Sequence, residues 1–380
     1  MHLLSLLNSL TPDHEKWSKL MGYKNVYLDP YKYHITQNAK VNDQEAYESF
    51  PEYRHFYDKL WVASTQNIRY GKLEDLIHDV SSVTYPIFIK PRSGNLTASS
   101  HNCYKINSPR ELSKYSGYKD MMWSEYINGR EGMTDLIILN GRIVYQLTYL
   151  YSEQQRGFAE VWKYVSSDTK TPQFVIDWTN KYVNNYTGFL NIQYRNDKII
   201  EVGLRPARKG VYLIAVDNFG IMKNIDNAIT HNFWDYSLKE EMRFKPYYNF
   251  KCYTKMPIIY LWPSKLLNII LNKCTDMPLF EYYFEPINNE GFVFLQFMHN
   301  NFEKGMQAKN TIELLFSLTQ IIFIISFLIV LALLFGLKTK TRYIYAALFI
   351  VVYLTRFLNP IFPNISIINI YLKRFLKQTY

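Results

Sequence analysis

Residues 191–210 read NIQYRNDKIIEVGLRPARKG. Two apolar-flanked segments meet at Asn196-Asp197-Lys198, a pattern that predicts a β-hairpin. The first arm carries Gln193 and the second Glu201, with Arg205 and Arg208 following at regular offsets. Strand side chains alternate between faces, so Glu201, Gly203 and Arg205 share one. A three-residue turn at 196–198 sets Gln193 directly opposite Glu201. A carboxylate and an amide oxygen then lie within reach of one hard cation, which prefers oxygen ligands. Arg205 and Arg208 add planar forks suited to phosphoryl or acyl-phosphate oxygens. Taken alone, the same pattern also fits a solvated sheet face whose charges pair with one another.

Working outward, YPIFIK (85–90) predicts a strand ending at Lys90, followed by PRSGNLTASSHN, a loop rich in Gly, Ser and Asn. In SPREL, Ser108 can cap a helix, Pro109 takes its first position and Glu111 completes a capping box. MMWSEYI (121–127) reads as another strand. LIILNGRIVYQL (136–147) is a hairpin, because Asn140-Gly141 between branched apolar runs is a strong tight-turn signal. In TPQFVIDWTNKYV (171–183) Phe174, Trp178 and Tyr182 recur every fourth residue, the period of a helix lying on a sheet. Helices alternating with antiparallel hairpins predict an α+β body over residues 55–240, preceded by a mixed helical segment at 1–54. Residues 241–310, with MPIIYLWPSKLL and FVFLQFM, either extend that domain or lie against a membrane.

The stretch 314–337, LLFSLTQIIFIISFLIVLALLFGL, carries no charge. At 1.5 Å per residue it reaches the ~30 Å needed to cross a hydrocarbon core. YIYAALFIVVYLT (343–355) is shorter; extended to residue 358 it is either a second span or an interfacial helix, and a basic tail follows. The formal net charge of the 380 residues is +10. Residues 337–380 hold seven Lys or Arg and no Asp or Glu. A membrane-flanking segment therefore accounts for most of the basicity, and no nucleic-acid partner is expected. The three cysteines, Cys103, Cys252 and Cys274, form no CxxC pair. His55, His78 and His101 show no metal spacing. A transporter is disfavoured, since no ionisable residue lines 314–337.

In its motifs and their order the chain resembles the ATP-grasp fold, and within it the carbamoyl-phosphate synthetase and biotin carboxylase branch. DKL supplies Asp58 and Lys59, and IFIKPRSG supplies Lys90 before a Pro and a loop. SEYINGRE supplies Glu125, Ile127, Gly129 and Glu131, and IQYRNDKIIEVGLRPAR supplies Gln193, Glu201, Arg205 and Arg208. The resemblance spans roughly residues 55–220. It implies ATP and Mg²⁺ as cofactors. Lys90 would lie along the α- and β-phosphates, with Lys59 as a second basic contact. Glu125 and Ile127 would offer backbone groups to adenine, and Glu131 would accept from the ribose. Glu201, assisted by Gln193, would hold magnesium, and Arg205 and Arg208 would stabilise the phosphorylated carboxylate.

Two departures stand out. The family has Asn where this chain has Gly203, and the loop after Lys90 has a single Gly where several are usual. The function implied is a membrane-anchored ligase joining a small carboxylate to an amine or related nucleophile through an acyl phosphate. The alternative is a non-catalytic nucleotide-binding or structural membrane protein on the same fold. Residues 301–313 are net neutral against Lys338, Lys340 and Arg342, so charge bias alone would send the body across the membrane. An ATP-using body belongs in the cytoplasm, and the N-terminal body is expected to face it.

Overall fold

The computed structural model describes residues 31, 35–95, 102–256, 262, 269–271, 273, 280–286 and 291–336. The chain divides into two compact units, residues 29–249 and residues 1–28 with 250–380. Helices and antiparallel sheets are mixed, an α+β architecture.

The 29–249 unit begins with α1 (Asp43–Ser49), a 3-10 turn (Pro51–Tyr57) and α2 (Lys59–Ser64). A small sheet follows from β1 (Tyr70–Lys72), β2 (Ile87–Pro91), β3 (Tyr104–Ile106) and β4 (Met121–Glu125). Its order is β1–β4–β2–β3, every neighbour antiparallel. Ile87, Ile89 and Ile106 bury one face against Leu73 and Leu76 of α3 (Leu73–His78). The SPREL helix is a single turn, α4 (Pro109–Leu112), capped as expected by Ser108 Oγ accepting from Glu111 N at 3.3 Å. The return bond differs. The Glu111 carboxylate takes the N–H of Asn107 at 2.8 Å, one residue before the cap.

The larger sheet holds the site. Asn140 and Gly141 both have positive φ, 50° and 76°. A two-residue turn of that hand suits the twist of the strands it joins, β5 (Glu131–Leu139) and β6 (Arg142–Tyr151). After the small pair β7 (Gln155–Arg156) and β8 (Ala159–Glu160) come β9 (Trp162–Val165), α5 (Gln173–Tyr182), β10 (Gly188–Arg195) and β11 (Lys198–Gly203). Neighbours run β11–β10–β5–β6–β9. One face is apolar: Leu136, Ile138, Leu190, Ile192 and Val202 pack with Val175 and Trp178 of α5. Burying such a side chain contributes about 2 kcal/mol. A one-residue slip of β10 would turn its set out of this core, so the register is firmly specified. α6 (Val211–Ala215) and α7 (Phe219–His231) complete this unit's helices.

The β10–β11 turn corrects the sequence expectation. It has two residues rather than three, because Arg195 pairs with Lys198 and Asn196 adopts a left-handed φ of 52°. A bulge after Tyr194↔Ile199 then restores parity, and Gln193 does pair with Glu201. Ile200 is the residue left out of the pairing.

Three further strands, β12 (Tyr247–Thr254), β13 (Phe280–Pro286) and β14 (Phe292–His299), lie in the order β12–β14–β13. The sequence left FVFLQFM open between domain and membrane surface. It is strand β14, buried along its whole length. The 35-residue helix α8 (Phe302–Gly336) follows. Its Phe302–Ser326 portion, with a mean hydropathy of 1.4, is long and apolar enough to cross a membrane. Phe316 stacks on Phe294 at 3.9 Å and Trp262 Nε1 donates to Thr319 Oγ1 at 3.0 Å, so one stripe of the helix is packed. Leu314, Leu318, Ile322 and Ile325 form an exposed apolar stripe. The proposed second span at 343–358 and the basic tail lie outside the described residues.

Candidate functional site

Opposite the apolar core, the other face of the large sheet is polar and yet enclosed. Direct cross-strand partners share a face. The pairings Arg195↔Glu131, Gln193↔Met133, Asn191↔Asp135, Gln193↔Glu201 and Asn191↔Gly203 therefore place all these residues together. Lys163, opposite Tyr151, belongs to the same face. Glu131, Asp135, Asn191 and Lys163 are buried. Polar groups out of water must be paired, and their pairing shows how the face is organised.

Glu131 accepts from the Gln193 amide, from Arg195 Nη2 at 2.6 Å and from Gln155 Nε2 at 3.3 Å. Burial raises its carboxyl above the ordinary range, and the Arg195 guanidinium works against that rise. Because Gln193 spends its NH₂ on Glu131, its carbonyl oxygen is the end left for another ligand. Asp135 takes the Tyr149 hydroxyl at 2.7 Å, the Asn191 amide at 2.7 Å and Ala207 N at 3.0 Å. Burial still raises its pKa despite those donors. Lys163 pairs with Glu160 at 2.5 Å and stands 4.6 Å from the centre of the Tyr151 ring.

Two lysines reach this hairpin from other elements. Lys90, near the end of β2 in the small sheet, is 9% exposed and donates to Ile200 O at 2.7 Å. That carbonyl belongs to the bulged residue, so the irregularity in β11 supplies the acceptor. Lys59, at the start of α2, lies 3.7 Å from Glu201 Oε2. Asp58 fixes this corner: it caps α2 through Leu60 N at 2.9 Å and pairs with Arg92 Nη2 at 2.5 Å. Burial, then the Lys59 ammonium, lowers the Lys90 pKa to about 8, with Glu201 opposing. Cys103 lies in the same electrostatic neighbourhood, its thiol pushed up to about 11 by burial although Lys90 and Lys59 pull it down.

At the far end of β11, Arg205 Nε donates to Asp43 Oδ2 at 3.1 Å and its Nη1 to Asn191 Oδ1 at 3.0 Å. Burial lowers the guanidinium pKa, but Asp43 together with Tyr57, Glu201 and Asp135 outweighs it, and the net shift is upward. Burial raises the Asp43 pKa; Arg205 opposes this, and the charge of Glu201 adds to it. Arg208 and Lys209 adopt left-handed φ values of 45° and 57°. Non-glycine residues held there cost about 1–3 kcal/mol each and concentrate where function fixes the backbone.

Of the residues expected from the sequence, Lys59, Lys90, Gln193, Glu201 and Arg205 are brought to one face, with Arg208 just beyond. Glu131 is there too, but tied to Gln193 and Arg195 rather than open. Glu125 ends β4 in the small sheet, its carboxylate on Arg69 Nε at 3.1 Å and its N–H on Arg69 O. The backbone of Ile127 takes no partner among the described residues. Sequence reading missed Asp43, Asp135, Asn191 and Lys163. Parity could have found Asp135, four residues after Glu131, and Asn191, two before Gln193. No local signal marks Asp43.

The donor set suits a hard cation held together with a polyphosphate: carboxylate and amide oxygens at Glu201 and Gln193, flanked by the ammonium groups of Lys59 and Lys90. Among the described residues no cluster of three or more His, Cys, Asp or Glu could hold a metal alone. A cation here would need oxygens from its ligand as well, as magnesium does when it rides on a nucleotide.

No protein-family model and no curated protein matches the chain. Among solved structures it is similar to an L-amino acid ligase from Bacillus licheniformis, at 13% identity and a TM-score of 0.48, over 67% of this chain and 71% of that one. It is also similar to an N5-carboxyaminoimidazole synthase from Aspergillus clavatus in complex with ADP and 5-aminoimidazole ribonucleotide. There the identity is 9% and the TM-score 0.48, over 72% and 80% of the two chains. A biotin carboxylase from Campylobacter jejuni gives 12% and 0.43, over 70% and 67%.

Proposed function

We propose that the chain is a membrane-anchored ATP-grasp ligase that joins a small carboxylate to an amine or related nucleophile. The observation that carries this reading is the approach of Lys90 and Lys59, from separate elements, to the Gln193–Glu201 pair on an enclosed polar face. The order of the sequence motifs supports it as well.

In this reading the triphosphate lies between the small sheet and the polar face. Lys90 neutralises phosphate oxygens, and Lys59 balances Glu201 until the nucleotide arrives. Glu125 and Ile127 present backbone to the base, and Glu131 keeps Gln193 turned so that its carbonyl faces the cation. Glu201 and Gln193 would hold magnesium, whose contribution is to draw charge from the phosphates as the terminal one departs. The substrate carboxylate attacks the terminal phosphorus, ADP leaves, and an acyl phosphate forms. The amine then attacks the acyl carbon, inorganic phosphate leaves and the amine's proton is lost to base or solvent. Arg205, held by Asp43 and Asn191, and Arg208 face the charge that develops on the carboxylate oxygens. No covalent nucleophile of the protein is required, since position and charge do the work.

The exposed apolar stripe of α8 and the uncharged run to residue 337 support a lipid bilayer as partner. In this reading the body faces the cytoplasm, because that is where its ATP is. A non-catalytic nucleotide-binding protein is the second reading. It is favoured by Gly203 and by the carboxylate of Asp43 already lying on Arg205. Release of ADP from full-length protein in detergent, supplied with candidate carboxylates and amines and varied magnesium, separates the two. Ligase function predicts magnesium-dependent release that Arg205→Ala abolishes. Release indifferent to Arg205→Ala would assign the activity elsewhere.

A further inference from the structure

Gly203 lies on the polar face, opposite Asn191 and next in line to the Gln193–Glu201 pair. The space above it is not open. A Cβ at 203 would stand 3.1 Å from Asp43 Oδ1 and 3.6 Å from Arg205 Cζ. The carboxylate that fills this space comes from far earlier in the chain and is firmly delivered. Asn42 caps α1 by accepting from Glu45 N at 2.9 Å and donates to Glu45 Oε2 at 3.0 Å. Ala46, one turn on, is fully buried in the core behind the sheet. Both Asp43 oxygens lie against Arg205 Nε, at 3.0 and 3.1 Å. With Asn191 Oδ1 on Nη1, the guanidinium is fixed on two sides, and Nη2 has no protein acceptor among the described residues.

We propose that Asp43 replaces the side chain position 203 lacks, orienting Arg205 and lending a carboxylate oxygen to the cation side of the site. This rests on the nucleotide reading above. Helix α1 is thereby part of the site, and the glycine is the gap that admits it. Asp43 and a side chain at 203 then compete for one space, so changes at the two positions must rescue each other.

The test is calorimetric titration of full-length protein in detergent with ATP, with and without magnesium, alongside a thermal melt of each variant to confirm folding. Asp43→Ala should weaken magnesium–ATP binding by about tenfold or more while metal-free ATP changes by less than about twofold. Asp43→Asn, which keeps an oxygen, should lose less. Gly203→Asn alone should also weaken magnesium–ATP, by crowding Asp43. Asp43→Ala with Gly203→Asn should recover to within about threefold of the parent, a strong positive coupling between residues in contact. Losses that simply multiply in the double variant would overturn the replacement, as would equal loss of both nucleotide forms in Asp43→Ala. In those cases the parent still binds nucleotide and only the role of Asp43 falls. A parent that binds neither form overturns the nucleotide reading itself, and the role of Asp43 with it.

Discussion

Lys90 offers a test whose sign and size both follow from its surroundings. Its ammonium donates to Ile200 O; burial, and then the neighbouring Lys59 charge, lower its pKa to about 8. An exposed lysine titrates near 10.5. Between these two values the unfolded chain holds a proton the folded chain has released, so stability rises with pH through that window. The stabilisation is fully present above the unfolded value and is lost as pH falls through about 8. The gap corresponds to on the order of 3 kcal/mol. Phosphate binding runs the opposite way, because it uses the charged form. At pH 9 roughly a tenth of the molecules carry that charge, so ATP affinity should be about tenfold weaker than at pH 7. Nucleotide should then be bound with uptake of nearly one proton. Titration in two buffers of different ionisation enthalpy measures that uptake directly. Lys90→Met should bind weakly at every pH, with no proton uptake near pH 8–9. An affinity flat from pH 7 to 9 in the parent, or the same uptake in Lys90→Met, would refute the assignment of Lys90 to the phosphates.

Three further outcomes are expected. Glu201→Gln should cost affinity for magnesium–ATP by about tenfold or more and leave metal-free ATP nearly unchanged, read by the same calorimetry. Replacing Leu314, Leu318, Ile322 and Ile325 together with Ser, which spares the buried stripe of α8, should release the protein from membranes under carbonate; the parent should stay. Asn95 and Asn185 each begin an Asn-X-Thr pattern. With the body in the cytoplasm both should remain unmodified in intact eukaryotic cells, as judged by glycosidase-dependent gel mobility, and glycan on either would reverse the topology.

What the sequence revealed and what it hid divide along a physical line. Asn140-Gly141 identified its hairpin because a turn with two left-handed residues has few sequence solutions. The Gln193–Glu201 pairing was legible because parity is set by the apolar residues on the other face, although the route to it was not. A two-residue turn plus a bulge gives the same partners as a three-residue turn, and nothing in NDKII distinguishes them. The bulge in turn frees the Ile200 carbonyl that receives Lys90, a contact between residues 110 positions apart. Glu131 read as an open acceptor because Gln193 and Arg195, its partners, are more than 60 residues away in sequence. Asp43 was invisible for the same reason: its ion pair with Arg205 spans 162 positions. FVFLQFM stayed undecided in the sequence, since a strand buried on both faces loses the alternation that would identify it.

The most direct measurement is an experimental structure of the full chain with a non-hydrolysable ATP analogue and magnesium. The triphosphate should lie between Lys90 and the Gln193–Glu201 pair, the cation on Glu201, and the base against the backbone at Glu125–Ile127. Nucleotide bound elsewhere, or a polar face closed over its own ion pairs with saturating analogue present, would contradict it.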